Sequence, residues 1–115
     1  MKSRSHILAI IALTLFAAIT PSRSASAADN ATPPVAVKID NFSFSPQTIT
    51  IPAGTEIIWT NQDDIPHTVV SDDKTTFKSR PLDTDEKFSF TFTSKGTYNY
   101  FCSIHPKMTA KIVVQ

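Results

Sequence analysis

Lys87-Phe88-Ser89-Phe90-Thr91-Phe92-Thr93 alternates without a break, phenylalanine to one side and hydroxyl side chains to the other. Successive side chains of an extended chain point to opposite faces, so this is the pattern of a strand with one buried face. Ser94-Lys95-Gly96 supplies turn chemistry, and Thr97 to Phe101 is expected to run back as the hairpin partner. Outward from this stretch the extended pattern recurs. Ala110 to Val114 reads as a final strand, and Val35 to Ile39, Phe42 to Ser45 and Thr48 to Ile51 as early ones. Pro46 stops the second of these, and Pro52-Ala53-Gly54 turns the chain after the third. Glu56 to Thr60 is β-branched and aromatic, hence another strand. After a loop from Asn61 to Pro66, His67 to Val70 resumes briefly. Residues 71–86 lack periodicity and are rich in charge, which reads as a long surface excursion.

No useful window places apolar residues at helical spacing. Seven or eight short strands with turns between them predict an all-β fold, a Greek-key β-sandwich. Its core is expected to hold Trp59, Phe88, Phe90, Phe92, the isoleucines and the valines. With 115 residues the chain is of single-domain size, which excludes two-domain catalysis or a dinucleotide fold. A net charge of +1 gives no basic field for nucleic acid.

The N-terminus reads separately. Lys2 and Arg4 precede an apolar run from Ile7 to Ile19 interrupted only by Thr14, and Ala25-Ser26-Ala27 is a small-residue cleavage pattern. We therefore divide the chain into a signal peptide at 1–27, a lead-in at 28–34 and a folded domain at 35–115. An uncleaved anchor is the alternative, though the run falls short of the roughly 20 residues a membrane crossing needs. Lipidation near the cleavage point is excluded because Cys102 is the only cysteine. The expected product is periplasmic or secreted, with no membrane anchor, and its net charge falls to −2 as Lys2, Arg4 and Arg23 leave.

A single cysteine in an oxidising compartment demands an explanation. It can bridge to another chain, stay buried and inert, act as a nucleophile, or hold a metal. Its surroundings read Cys102-Ser103-Ile104-His105-Pro106-Lys107-Met108, three soft or borderline ligands in seven residues at the mouth of the last strand. His67, the other histidine of the mature chain, also follows a loop. Two imidazoles, one thiolate and a weak thioether are the donor set of mononuclear blue copper. Structural zinc prefers four Cys or His ligands and does not favour methionine. A Cys102–His105 nucleophile pair would sit on one loop with no substrate pocket indicated. Asp63-Asp64 and Asp72-Asp73 read as solvated loop charges.

On these residues the chain resembles the cupredoxins, small type 1 copper proteins. The similarity extends through Trp59-Thr60-Asn61 ahead of Pro66-His67, Phe77, Ser79 and Leu82 before Phe88-Ser89-Phe90, Gly96-Thr97-Tyr98, and Lys111 to Val114. The short His105–Met108 gap is most similar to the amicyanin branch; plastocyanin and pseudoazurin have longer gaps. The resemblance implies one copper held by His67, Cys102, His105 and Met108, with Asn61, Thr68 and Pro106 around it. Many members carry asparagine where this chain has Thr68.

The function implied is one-electron shuttling, not enzymatic turnover. The partners implied are a donor dehydrogenase or cytochrome and an acceptor cytochrome or oxidase, met transiently by a monomer. His105 is the ligand expected at the surface, in an apolar patch supplied by Ile104, Pro106 and Phe42 or Phe44. A periplasmic copper carrier is the rival reading, although one methionine is meagre for easy metal exchange.

Overall fold

A computed structural model describes residues 32–115, together with Thr14 and residues 17–19. The rest of the expected signal peptide, with its cleavage point near Ala27, lies outside the described residues. Among these, eight strands form and no helix does: β1 (Val35–Asp40), β2 (Ser43–Ser45), β3 (Thr48–Ile51), β4 (Thr55–Asn61), β5 (Val70–Ser71), β6 (Lys87–Phe92), β7 (Gly96–Phe101) and β8 (Thr109–Val114). They make two four-stranded sheets, ordered β2-β1-β4-β6 and β3-β8-β7-β5. The predicted β-sandwich is thus the observed architecture.

Register decides where the loops gather. β1 and β4 run parallel with Ile39 opposite Asn61, so the β1–β2 turn and the loop leaving β4 emerge at the same end. In the other sheet Val70 pairs with Phe101, which sets the segment before β5 beside Cys102. The β7–β8 pairing closes at Phe101 and Thr109, leaving residues 102–108 as the connecting loop. Three connections therefore meet at one pole.

The core lies between the sheets. Val37, Ile39, Ile57, Trp59 and Phe92 from one face Ile51, Tyr100, Ala110, Ile112 and Val114 from the other, all buried. Trp59 is its centre, its ring 5.6–6.4 Å from those of Phe77, Phe88, Phe92 and Tyr100. The Trp59 indole N–H and the Tyr100 hydroxyl are buried without a hydrogen-bond partner. Burial pushes the Tyr100 phenol up to about 12, against the opposing pull of the Trp59 indole nearby.

Two expectations need correction. The β6–β7 connection is not a hairpin, because β6 pairs with β4 and β7 pairs with β8 and β5. The turn carries the chain from one sheet to the other, and the strands meet through side chains, with the Phe92 and Tyr98 rings 5.2 Å apart. As the edge strand, β6 has cover on only part of its face, so Phe88 and Phe90 are half-buried and Phe92 alone is fully inside.

Residues 71–86 are also more than a surface excursion. Phe77, Ser79 and Leu82 are buried. The segment doubles back along His67–Ser71 through the bonds Ser71 N–H to Phe77 O, Ser79 N–H to Val69 O and Leu82 N–H to His67 O. Its outer bend is tied by Asp73, whose carboxylate accepts from the Ser71 hydroxyl, the Thr75 and Thr76 N–H groups and the Thr76 hydroxyl. Those donors, Ser71 foremost and then Thr76, hold the Asp73 carboxyl far below the usual carboxylate range. A lowered folded pKa stabilises the bend above the unfolded value of 3.8, and that contribution fades as pH falls toward the folded value. The amide signals of Thr75 and Thr76 are accordingly expected to stay fixed through the ordinary carboxylate range and to move only well below it. Titration of these amides near pH 4, the ordinary aspartate range, would contradict this.

Candidate metal centre

The pole where the three connections meet contains His67, Cys102 and His105, whose donor atoms lie within 4.8 Å of one another. Both imidazoles turn Nδ1 toward the sulfur, at 3.7 Å for His67 and 3.8 Å for His105. Met108 is buried in the same loop as Cys102 and His105. The loop is tightened by two backbone bonds, Cys102 N–H to Met108 O and Met108 N–H to His105 O. These bonds return the chain on itself in seven residues and so bring Cys102, His105 and Met108 together. Cys102 is buried and makes no disulfide.

His67 comes from elsewhere in the chain and is fixed twice. Its backbone exchanges two hydrogen bonds with Leu82. Its Nε2 lies 2.7 Å from an oxygen of Asp63. Asp63 also accepts the N–H groups of Asn41 (2.7 Å) and Phe42 (3.1 Å). Burial pushes this carboxyl up, but the Phe42 and Asn41 N–H groups and the His67 ring outweigh it and hold the group below its usual range. An ionised carboxylate only accepts, so Nε2 carries a proton and Nδ1 is the ring nitrogen turned toward the sulfur. Asp63 is therefore not a solvated loop charge, whereas its neighbour Asp64 is exposed. Its position four residues before His67 is the one local hint in the sequence, and in a loop that spacing fixes no geometry.

Asn61 is buried with its amide fully used, donating to Ile65 O and Leu82 O and accepting from Asp63 N–H. Thr68 ties the two ligand segments together. Its hydroxyl oxygen accepts the Ser103 N–H at 2.7 Å, and its own N–H points at the Cys102 sulfur at 3.4 Å. Pro106 is exposed, so it shapes the rim and contributes no buried brace.

His105 is half-buried where His67 is wholly enclosed. Around it is a shallow, mostly apolar hollow of about 470 Å³ formed by Phe42, Ile104, His105, Pro106, Lys107 and Met108. Phe42 and Ile104 expose 52% and 45% of their surface, which makes them the exposed large apolar residues of this pole. Phe44, the other aromatic considered for the patch, is buried and faces Tyr100.

A double sheet with two imidazoles and a thiol at one pole defines a class of small metal-binding β-sandwich, and comparison with known proteins agrees. Residues 7–114 match the family described as a cupredoxin-like domain. Amicyanin from Paracoccus versutus is 31% identical over 103 residues, covering 84% of this chain and 76% of that protein. Its crystal structure superposes with a TM-score of 0.66 over 73% of this chain and 85% of its own. A purple cupredoxin from Nitrosopumilus maritimus is 32% identical, with a TM-score of 0.65 over 70% of this chain and 99% of that one. A copper-containing nitrite reductase from Thermus scotoductus also superposes, at 34% identity and a TM-score of 0.67, but this chain spans only 22% of it. The chain belongs to the cupredoxin family. The cofactor of that family is type 1 copper, and the donor chemistry found here fits it: one unpaired buried thiol, two imidazoles presenting Nδ1 and a buried methionine on the same loop as the thiol.

Proposed function

We propose that the protein is an exported, periplasmic carrier of single electrons between redox proteins, with His67, Cys102, His105 and Met108 as its copper ligands. The observation that carries this reading is the convergence of three donor atoms within 4.8 Å on a loop cluster braced by the sandwich. When bound there, copper supplies a one-electron couple between Cu(II) and Cu(I). The chain supplies the rest. Asp63 and Leu82 fix the ring and backbone of His67, and Thr68 joins the His67 segment to the Cys102 loop. A site held on so many sides changes shape little between oxidation states, which keeps the barrier to transfer low. His105 and its apolar surround give a partner access to the ligand edge, through a contact small enough to release quickly. Export is supported by the Lys2–Ala27 pattern, and no helix among the described residues is long and apolar enough to cross a membrane.

The test is titration of the mature protein with Cu(II), followed by visible and EPR spectroscopy. One equivalent is expected to produce an intense thiolate-to-copper band, absent in Cys102→Ser. No such band in the parent protein would end this reading. Slow loss of copper to a chelator together with fast electron self-exchange is expected of a shuttle; the reverse would make the protein a copper carrier. Met108→Ala is expected to retain copper, because three stronger donors remain, and to show a shifted reduction potential. An unchanged potential would remove Met108 from the ligand set.

A further inference from the structure

The β1–β2 connection is a two-residue turn in which both residues, Asn41 (φ 50°) and Phe42 (φ 57°), are left-handed. Hairpins of this kind require positive φ at both positions, and asparagine followed by glycine is the usual solution. Asparagine is present. The second position, however, carries a bulky aromatic side chain, for which the left-handed region is a costly place. Phe42 is an exposed residue, so burial in the core does not explain the choice.

What the ring does touch is the candidate metal centre. Its centroid is 5.7 Å from that of His67 and 5.0 Å from that of His105, and it stands edge-on to both, at 86° and 88°. The turn has a second link to the same site. The carboxylate that accepts the Asn41 and Phe42 N–H groups is that of Asp63, which also holds His67 Nε2. The backbone that aims the phenyl ring and the imidazole it meets are thus fastened to one side chain.

We infer that Phe42 is a positioning residue for the copper ligands: Asp63 holds the turn in its strained form so that the phenyl ring wedges against both imidazoles and keeps His105 from swinging outward. Backbone strain retained at a ligand clamp is strain with a use. The inference rests on the copper reading above, but half of its test does not need metal.

The experiment compares the parent protein with Phe42→Gly, Phe42→Ala and Phe42→Tyr. In the copper-free proteins, NMR of the His105 ring is expected to show broader motion in the glycine and alanine variants and the parent behaviour in tyrosine. Glycine is expected to melt several degrees above alanine, because both lack the ring and only alanine keeps a Cβ at positive φ. In the copper-loaded proteins, release of Cu(I) to a chelator is expected to be roughly five- to tenfold faster in glycine and alanine and unchanged in tyrosine, matching the worth of aromatic edge contacts. Release at the parent rate in both truncations, or an unaltered His105 ring in the metal-free proteins, would overturn the inference. If the parent protein gave no thiolate band, the copper reading would fail, and the NMR and melting comparison would still decide whether Phe42 positions the histidines.

Discussion

Trp59→Ala is expected to lower folding free energy by about 3–5 kcal/mol, the usual cost of truncating a large buried aromatic side chain. Trp59 has no exposed surface and packs against Phe77 from the 71–86 segment, Phe88 and Phe92 from its own sheet and Tyr100 from the facing one. Its removal leaves a void between the sheets that these four rings cannot fill without leaving their own contacts. Small domains are typically stable by only about 5–15 kcal/mol, so the copper-free variant is expected to be close to unfolding at physiological temperature. The measurement is urea denaturation of the copper-free protein, followed by far-ultraviolet circular dichroism because the variant has no tryptophan. Copper held by the folded site is expected to offset most of the loss, by up to about 4 kcal/mol at a thousandfold excess over its dissociation constant, less whatever it gains on the unfolded chain's Cys and His side chains. A loss below about 1.5 kcal/mol would mean that Trp59 is not the keystone of the packing. Trp59→Phe is expected to be far milder, since it keeps a ring and removes an indole N–H that has no partner.

The contrast between what the sequence revealed and what it hid follows from the range of the interactions involved. The ligand loop was legible because Cys102, His105 and Met108 are close in sequence and their chemistry is distinctive. The strands were legible because burial on one face imposes a period of two, clearest at Phe88, Phe90 and Phe92. Pairing was not. Ser94-Lys95-Gly96 has the composition of a hairpin turn, but composition does not say whether the returning strand joins the same sheet or the one opposite, and here it joins the opposite one. Phe77 and Leu82 are too widely spaced to make a periodic signal, although both are buried. Asp63 was hardest. An Asp-Asp pair in a polar loop looks solvated until the fold brings His67 and the Asn41–Phe42 turn to it, contacts that reach 22 residues along the chain.

Asp63→Ala is expected to destabilise the copper-free protein by about 3 kcal/mol, because the carboxylate serves three donors at once. The Asn41 and Phe42 N–H groups are at an exposed turn, where water replaces part of what they lose. His67 is fully buried, and its Nε2 proton would be left without an acceptor. That second loss dominates, since an unpaired buried donor forfeits its hydration as well as its partner. Asp63→Asn fits the same space with one accepting oxygen, so it is expected to cost about half as much. In urea the alanine variant's midpoint is expected to fall by about 2 M, taking the slope usual for a small domain. The charge has its own signature in the copper-loaded protein. A negative carboxylate beside a ligand favours the more positive Cu(II), so its removal is expected to raise the reduction potential. Equal rises in asparagine and alanine would assign the effect to charge, and a rise confined to alanine would assign it to lost orientation of His67. A stability within about 0.5 kcal/mol of the parent together with an unmoved potential would show that the buried contact between Asp63 and His67 neither stabilises the fold nor tunes the site.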